Sequence, residues 1–343
     1  ETAEANSQED VSKPPLEAME AATPKLAKIQ WPPKFTAEEL RGSVKSSIDY
    51  LVRTTDEHGK FAYIVNTDPD VPATNEYNVV RHAGTMYGLG MFLQRHDDPD
   101  GKVKAALIQQ GQCLRAQMEP VPGQNDMIVI WPHPEVAVLK DLARAELGSA
   151  GLGLIGLTAL EQAAAGNVRQ EDLRGLARFI LFMQMKDGSF YRVYVPEGEG
   201  RINVQPLLFY PGESALGLVM LYEVDGDVTW LNAAALAVSH MARQRGRDGR
   251  PLLDHWLTLA SARLWPHLDE VTVEFDREEV LQFTRDLCER LMKTTKPVVD
   301  DPRLKGCITG TGMTCPTATR VEGLMAALSY LPDNTPEDVA FRS

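Results

Sequence analysis

This chain of 343 residues has no apolar run long enough to cross a bilayer as a helix, and no block rich in lysine and arginine. Its formal charge of −13 at neutral pH sharpens the second point. Affinity for a phosphate backbone comes from clustered cations that release counterions, so nucleic acid is not an expected partner. His-Glu-x-x-His and Cys-x-x-Cys spacings are missing, as are a phosphate-binding loop and the glycine fingerprint of dinucleotide folds. No metal site and no cofactor is therefore expected. Cysteine is scarce, at four residues. Cys113 and Cys288 fall within helical patterns and read as buried core thiols. Cys307 and Cys315 bracket the loop GCITGTGMTC, whose glycines allow the backbone to fold back, which makes a disulfide between them a candidate in an oxidising compartment.

What is present is enough apolar material, 43% of residues, to bury a large core. Residues 1–34 are the exception: an acidic, Pro-interrupted stretch too polar to fold alone, expected as a largely disordered tail or linker. The domain proper is expected over 35–335, with a C-terminal tail at 336–343. An opening on Glu1 followed by a tether-like segment suggests an exported, processed protein, secreted or periplasmic, with the cytoplasm left open. The oligomeric state is also left open.

The most prominent pattern is a long unit that occurs twice, around residues 40–118 and 173–244, with a weaker echo beyond. Each copy reads as a helix, a short β-turn segment with an aromatic after glycine, a Gly-rich apolar helix and a return helix, the self-similarity of a helical repeat array. Apolar residues at three- and four-residue spacing place helices at about 37–54, 78–95, 101–118, 144–163, 170–185, 212–224, 228–244, 255–265, 276–293 and 317–331. One helix of each pair is amphipathic, while its partner is rich in Gly and Ala, as in LGSAGLGLIGLTAL and GESALGLVML. Glycine weakens an isolated helix by about 1 kcal/mol relative to alanine, so its repeated use points to helices crowded by neighbours on several sides. These would form an inner ring with the amphipathic helices outside. Strand-like pieces at 61–65 (FAYIV) and 190–195 (FYRVYV) follow Gly turns and fit small β-hairpins on one rim. The expected fold is all-α, an α/α barrel (toroid) of five to six helical hairpins.

Alternating inner and outer helices with GKF or DGSF turns on one rim resemble the α/α-toroid superfamily of six-hairpin glycosidases, N-acylglucosamine epimerases, polysaccharide lyases, glucuronyl C5-epimerases and terpene cyclases. The stretch from Gln184 to Phe190 also resembles the Gln-to-aromatic turn of terpene cyclases and prenyltransferases, although the Asp-rich motifs of those enzymes are not evident. The architectural resemblance covers most of residues 35–331 and implies a site at the loops leading into the inner helices. Fold alone does not assign a reaction, so the site has to be argued from side chains.

Every one of those entrances carries an ionisable group: Tyr77, Asn78, Arg81 and His82; Arg144 and Glu146; Tyr210 and Glu213; Asp254, His255 and Trp256; and Cys315, Arg320 and Glu322. Buried charges are costly unless paired, so these residues either stitch helices together, as Arg81 with Glu146 and Arg320 with Glu213 or Glu322, or they converge on a ligand. Glycoside hydrolysis needs two carboxyl groups flanking the bond, for which Glu146, Glu213, Asp254 and Glu322 are candidates. Lyase or epimerase chemistry on a uronic acid needs a base, His82 or Tyr77, and a cation to hold the carboxylate, Arg81 or Arg320. A thiol mechanism would use Cys315, beside a helix start that favours an anion. Tyr63, Trp131, Phe190, Tyr191, Tyr194, Tyr210 and Trp256 could stack on a pyranose face or simply pack the rim. The leading expectation is a carbohydrate-active enzyme with His82, Glu146, Glu213 and Glu322 as catalytic groups. Tyr77, Asn78, Arg81, Tyr210, Asp254, His255, Trp256 and Arg320 would then bind a glycan or uronic-acid-containing substrate. The alternatives are a non-catalytic glycan- or protein-binding toroid of an envelope or secretion pathway, and an isoprenoid enzyme like the terpene cyclases.

Overall fold

The computed structural model describes residues 35–66, 68, 70, 77–131, 144–198, 200–203, 209–246, 248–294 and 313–333. The chain forms two compact units, Glu1–Ser47 and Ile48–Ser343. The expected tails at 1–34 and 336–343 lie outside the described residues. In the first unit, Thr36 and Glu39 form a reciprocal cap: the Glu39 carboxylate accepts the Thr36 N–H at 2.7 Å, and the Thr36 hydroxyl oxygen accepts the Glu39 N–H at 3.2 Å. This starts helix α1 (Ala37–Arg53) by satisfying amides that have no partner inside the helix.

The second unit alternates outer and inner helices. After the last turns of α1 come α2 (Val79–Leu93), α3 (Lys102–Arg115), α4 (Leu147–Ala163), α5 (Gln170–Met183), α6 (Tyr210–Asp225), α7 (Val228–Arg243), α8 (His255–Leu264), α9 (Arg277–Thr294) and α10 (Thr314–Ala327). The even-numbered helices are the inner ones, each packed on the next in the order α2, α4, α6, α8, α10. Along α4 every residue from Leu147 to Leu160 is buried, and along α6 every residue from Gly212 to Tyr222. Helices buried on all sides cannot show an apolar stripe, which accounts for their uniform composition. In α10 Val321 and Met325 are exposed. No helix among the described residues is long and apolar enough to cross a membrane.

Glycines set the spacing and direction of the inner ring. A Cβ on Gly148 would lie 2.4 Å from the Tyr210 ring, one on Gly151 3.0 Å from the Ser214 nitrogen, and one on Gly217 3.3 Å from Leu154 Cβ. Partners that advance together along both chains mean that α4 and α6 run parallel. The same holds for α2 and α4, where Gly156 abuts Ala83 and Gly90 abuts Ala159. Parallel inner helices bring their N-termini to one rim, and this is the α/α toroid.

That rim carries the repeated turn. Bridges join Thr55 to Phe61, Gln184 to Phe190 and Arg245 to Pro251, the third being the weak echo in sequence. Gly188 has φ +87°, and a Cβ there would lie 2.2 Å from the Leu236 carbonyl oxygen of α7, so both backbone geometry and space demand glycine. Gln184 braces the same contact by donating to the Ala233 carbonyl at 2.8 Å. The hairpin strands are β1 (Met118–Val121) with β2 (Gln124–Ile130), and β3 (Ala145–Glu146), β4 (Val193–Val195) and β5 (Gly200–Ile202) in a second antiparallel sheet. The stretch 61–65 makes only the bridge at Phe61, and the β1–β2 hairpin, which was not among the expected elements, turns on Pro122-Gly123 with Gly123 at φ +76°. Helix α4 starts three residues later than its apolar pattern suggests, because Ala145 and Glu146 pair with β4 and the Leu147 N–H donates to Arg192.

Candidate active site

The first entrance is structural. Asn78 caps α2, its side-chain oxygen accepting the Arg81 N–H at 3.1 Å. His82, expected as a base, is fully buried with both ring nitrogens engaged: Nδ1 takes the Tyr77 hydroxyl, and Nε2–H donates to the Gln110 carbonyl of outer helix α3 at 2.9 Å. Burial holds its pKa below the usual histidine range, against the opposing pull of the Gln110 carbonyl, so the ring stays neutral and points outward. Burial likewise pushes the Tyr77 phenol up. Arg81 is exposed, with its guanidinium 5.1 Å from the centre of the Tyr63 ring. These four residues tie α2 to its surroundings and are not brought to the acid cluster described below.

At the second entrance Glu146 accepts the Tyr210 hydroxyl at 2.9 Å and lies 3.3 Å from the Arg144 guanidinium. Its partners are therefore Arg144 and Tyr210 rather than Arg81. The Tyr210 phenol is pushed up to about 12, by burial first and then by the Glu146 charge, while the Arg192 guanidinium over its ring acts in the opposite sense. This group stands one helical turn ahead of Glu213.

The central cluster lies on α6, α8 and α10. Glu213, in the first turn of α6, is 4% exposed, and its Oε2 has no hydrogen-bond partner. Asp254, the N-cap of α8, is 6% exposed and accepts the Trp256 N–H at 2.9 Å. Neither carboxyl makes an ion pair among the described residues. Burial raises the Glu213 pKa well above the carboxylate range, and the neighbouring Asp254 charge adds to it. Burial also pushes Asp254 up to about 7, against the backbone N–H groups of Trp256 and Leu257. Both acids sit at helix N-termini, where the dipole favours an anion, so desolvation outweighs the dipole here. His255, next in sequence, is pushed down to about 4 by burial, and its Nε2 is buried without a hydrogen-bond partner. Glu322 Oε2 lies 4.0 Å away, and burial raises that carboxyl too. The distance would suit an ion pair, but a histidine held neutral at pH 7 leaves a neutral imidazole facing the carboxyl group.

Asp254 and His255 form part of the wall of a cavity of about 380 Å³, together with Phe209, Thr258, Cys288, Cys315, Thr319 and Arg320. Close packing delivers these residues: Gly212 lets Trp256 and Asp254 approach α6, and Gly323 lets His255 and Thr258 approach α10. The Cys288 thiol is buried and pushed up to about 12. Cys315 is exposed on the first turn of α10; Cys307 lies outside the described residues, and the expected disulfide with it. Three wall residues, Phe209, Thr258 and Cys288, carry no functional signal in sequence. Cys288 sits in an ordinary amphipathic repeat, Thr258 in an apolar helix, and Phe209 is exceptional only in its backbone.

No protein-family model matches this chain, and no curated protein does. Solved structures do. A GH76 α-mannanase from Bacteroides thetaiotaomicron superposes with a TM-score of 0.59 at 11% identity, covering 85% of this chain and 80% of that one. A cellobiose 2-epimerase from Spirochaeta thermophila gives 0.58 at 13% identity, covering 89% and 82%. At these identities the likeness concerns the fold alone, an α/α barrel.

Proposed function

We propose that this chain is a carbohydrate-active enzyme that moves a proton on a sugar bound in the α6–α8–α10 cavity. The observation that carries this reading is the burial of Glu213 beside Asp254, with no ion pair to either carboxyl among the described residues, where Asp254 and His255 form part of the cavity wall. Two unpaired buried acids cost stability, and such costs concentrate where chemistry needs them. Asp254 is the acid–base group: a carboxyl titrating near neutrality is matched to giving and taking protons at neutral pH. Glu213, held protonated, keeps negative charge off its neighbour and can donate. Neutral His255 presents an unpaired ring nitrogen to a hydroxyl or carbonyl edge. Arg320, on the same wall, suits a carboxylate or sugar hydroxyl.

The arrangement favours epimerase- or lyase-type proton transfer over hydrolysis. A glycosidase needs two carboxyl groups flanking the bond, whereas of the candidate acids Asp254 alone is among the residues that line the cavity, which suits a single acid–base group. That one structural neighbour is named a sugar epimerase and another a mannanase supports sugar as the substrate class. The test is incubation in D2O with cellobiose, mannobiose and uronic-acid oligosaccharides, followed by NMR for deuterium at sugar carbons and by a reducing-end assay. Deuterium incorporation that disappears in Asp254→Asn is expected. New reducing ends without incorporation would establish hydrolysis instead, and binding without either change would establish the non-catalytic toroid.

A further inference from the structure

Phe209 is the residue just before α6, and its carbonyl accepts the Glu213 N–H at 2.9 Å. Its backbone has φ +80° and ψ −45°, and it is the only described non-glycine residue with positive φ. Glycine would adopt that conformation without strain; phenylalanine does not. The ring does not repay the strain by filling the core, because Phe209 is 38% exposed. It stands instead at the cavity wall, edge-on to His255, with ring centres 5.9 Å apart at 68°. The other rim aromatics are engaged elsewhere. Phe190 is buried, Tyr63 lies under Arg81, Tyr191 under Arg201, and Tyr210 under Arg192. Trp256 packs behind His255, with rings 4.7 Å apart.

We infer that Phe209 is the platform on which the apolar face of a pyranose ring rests while His255 and Asp254 reach the ring's polar edge. The inference rests on the functional reading above and adds a positioning residue to it. A strained N-cap then has a purpose: it holds a phenyl ring in the cavity and, through the same carbonyl, seats the turn that carries Glu213.

The test compares wild type with Phe209→Ala, Phe209→Gly and Phe209→Trp, using calorimetric binding of cellobiose, mannobiose and glucuronate together with steady-state kinetics. Loss of an aromatic stacking surface weakens binding by up to about tenfold, so the Ala and Gly variants should show a raised Kd and KM, with kcat within about twofold of wild type. The Trp variant should recover binding. The Gly variant should also melt above the Ala variant, because only glycine relieves the backbone, and it keeps the test valid where Ala fails to fold. Unchanged binding in the Ala or Gly variant, alongside tight binding by wild type, overturns the platform and leaves the functional reading intact. Failure of wild type to bind any of the three sugars overturns both.

Discussion

Replacing Asp254 by asparagine should stabilise this protein, and increasingly so as the pH rises. In the native state the carboxyl titrates at about 7, against an ordinary 3.8, chiefly because it is buried. The folded protein therefore binds a proton that the unfolded chain has already released. A carboxyl raised in this way gives its full stabilisation below pH 4 and loses it as the pH climbs through 7, for a total of about 4 kcal/mol. The sign for His255 is the opposite. Its value falls from 6.5 to about 4, so its contribution is complete above pH 6.5 and is lost as the pH drops through 4. The two nearly cancel in the wild-type profile between pH 4 and 6.5. The difference between Asp254→Asn and wild type removes the histidine, which both proteins carry. Asparagine is also a good N-cap, so the hydrogen bond to Trp256 survives. Urea denaturation at each pH from 4 to 8 should show this difference growing by about 4 kcal/mol, or about 6 °C in Tm for a chain of this size. A difference that stays constant with pH would refute the reasoning, because it would mean that Asp254 is solvated or paired and not held in its neutral form.

The same variant should lose about 10²-fold or more in kcat while remaining folded, measured by the deuterium-exchange assay together with circular dichroism. Tyr77→Phe should cost about 1–3 kcal/mol by leaving the buried His82 nitrogen unpaired, with kcat of the folded protein unchanged; a selective loss of kcat would return His82 to the chemistry. Gly188→Ala should destabilise by well over 1 kcal/mol, since its Cβ would meet the Leu236 carbonyl at 2.2 Å. Gly249→Ala, with φ +72° but open space around it, should cost only about 1 kcal/mol, and equal midpoints in thermal melts would remove the packing argument. His255→Gln should unmask the Asp254 contribution: between pH 4 and 6.5, where the wild-type profile is nearly flat, stability of the variant should fall as the pH rises, and a profile as flat as wild type would mean that His255 is not held neutral by burial.

The helices and their two layers were legible in sequence because their cause is local and repeated. Outer helices such as α5 alternate apolar and charged faces, inner ones such as α4 are apolar throughout, and α1, α5 and α7 each lead into a bridged turn whose glycine punctuates the copy. Three entrances were legible for the same reason, since Glu146, Glu213 and Asp254 stand at the cap or in the first turn of α4, α6 and α8; Glu322 instead lies in the third turn of α10, next to the Gly323 that packs on His255 and Thr258. What each entrance does was not. Arg81-His82 and Asp254-His255 look alike as strings, a charged residue followed by a histidine at the start of an inner helix. Only the packing separates them: Gln110 and Tyr77 use up both nitrogens of the first imidazole, while the second lies at a cavity wall with one nitrogen unpaired. The backbone of Phe209 leaves no mark in the sequence at all. Composition and periodicity by themselves determined a two-layer helical ring, because burial pattern follows from residue spacing. Tertiary structure alone decided which charges are neutral, which are paired and which reach the cavity, because desolvation depends on neighbours contributed by helices far apart in the chain.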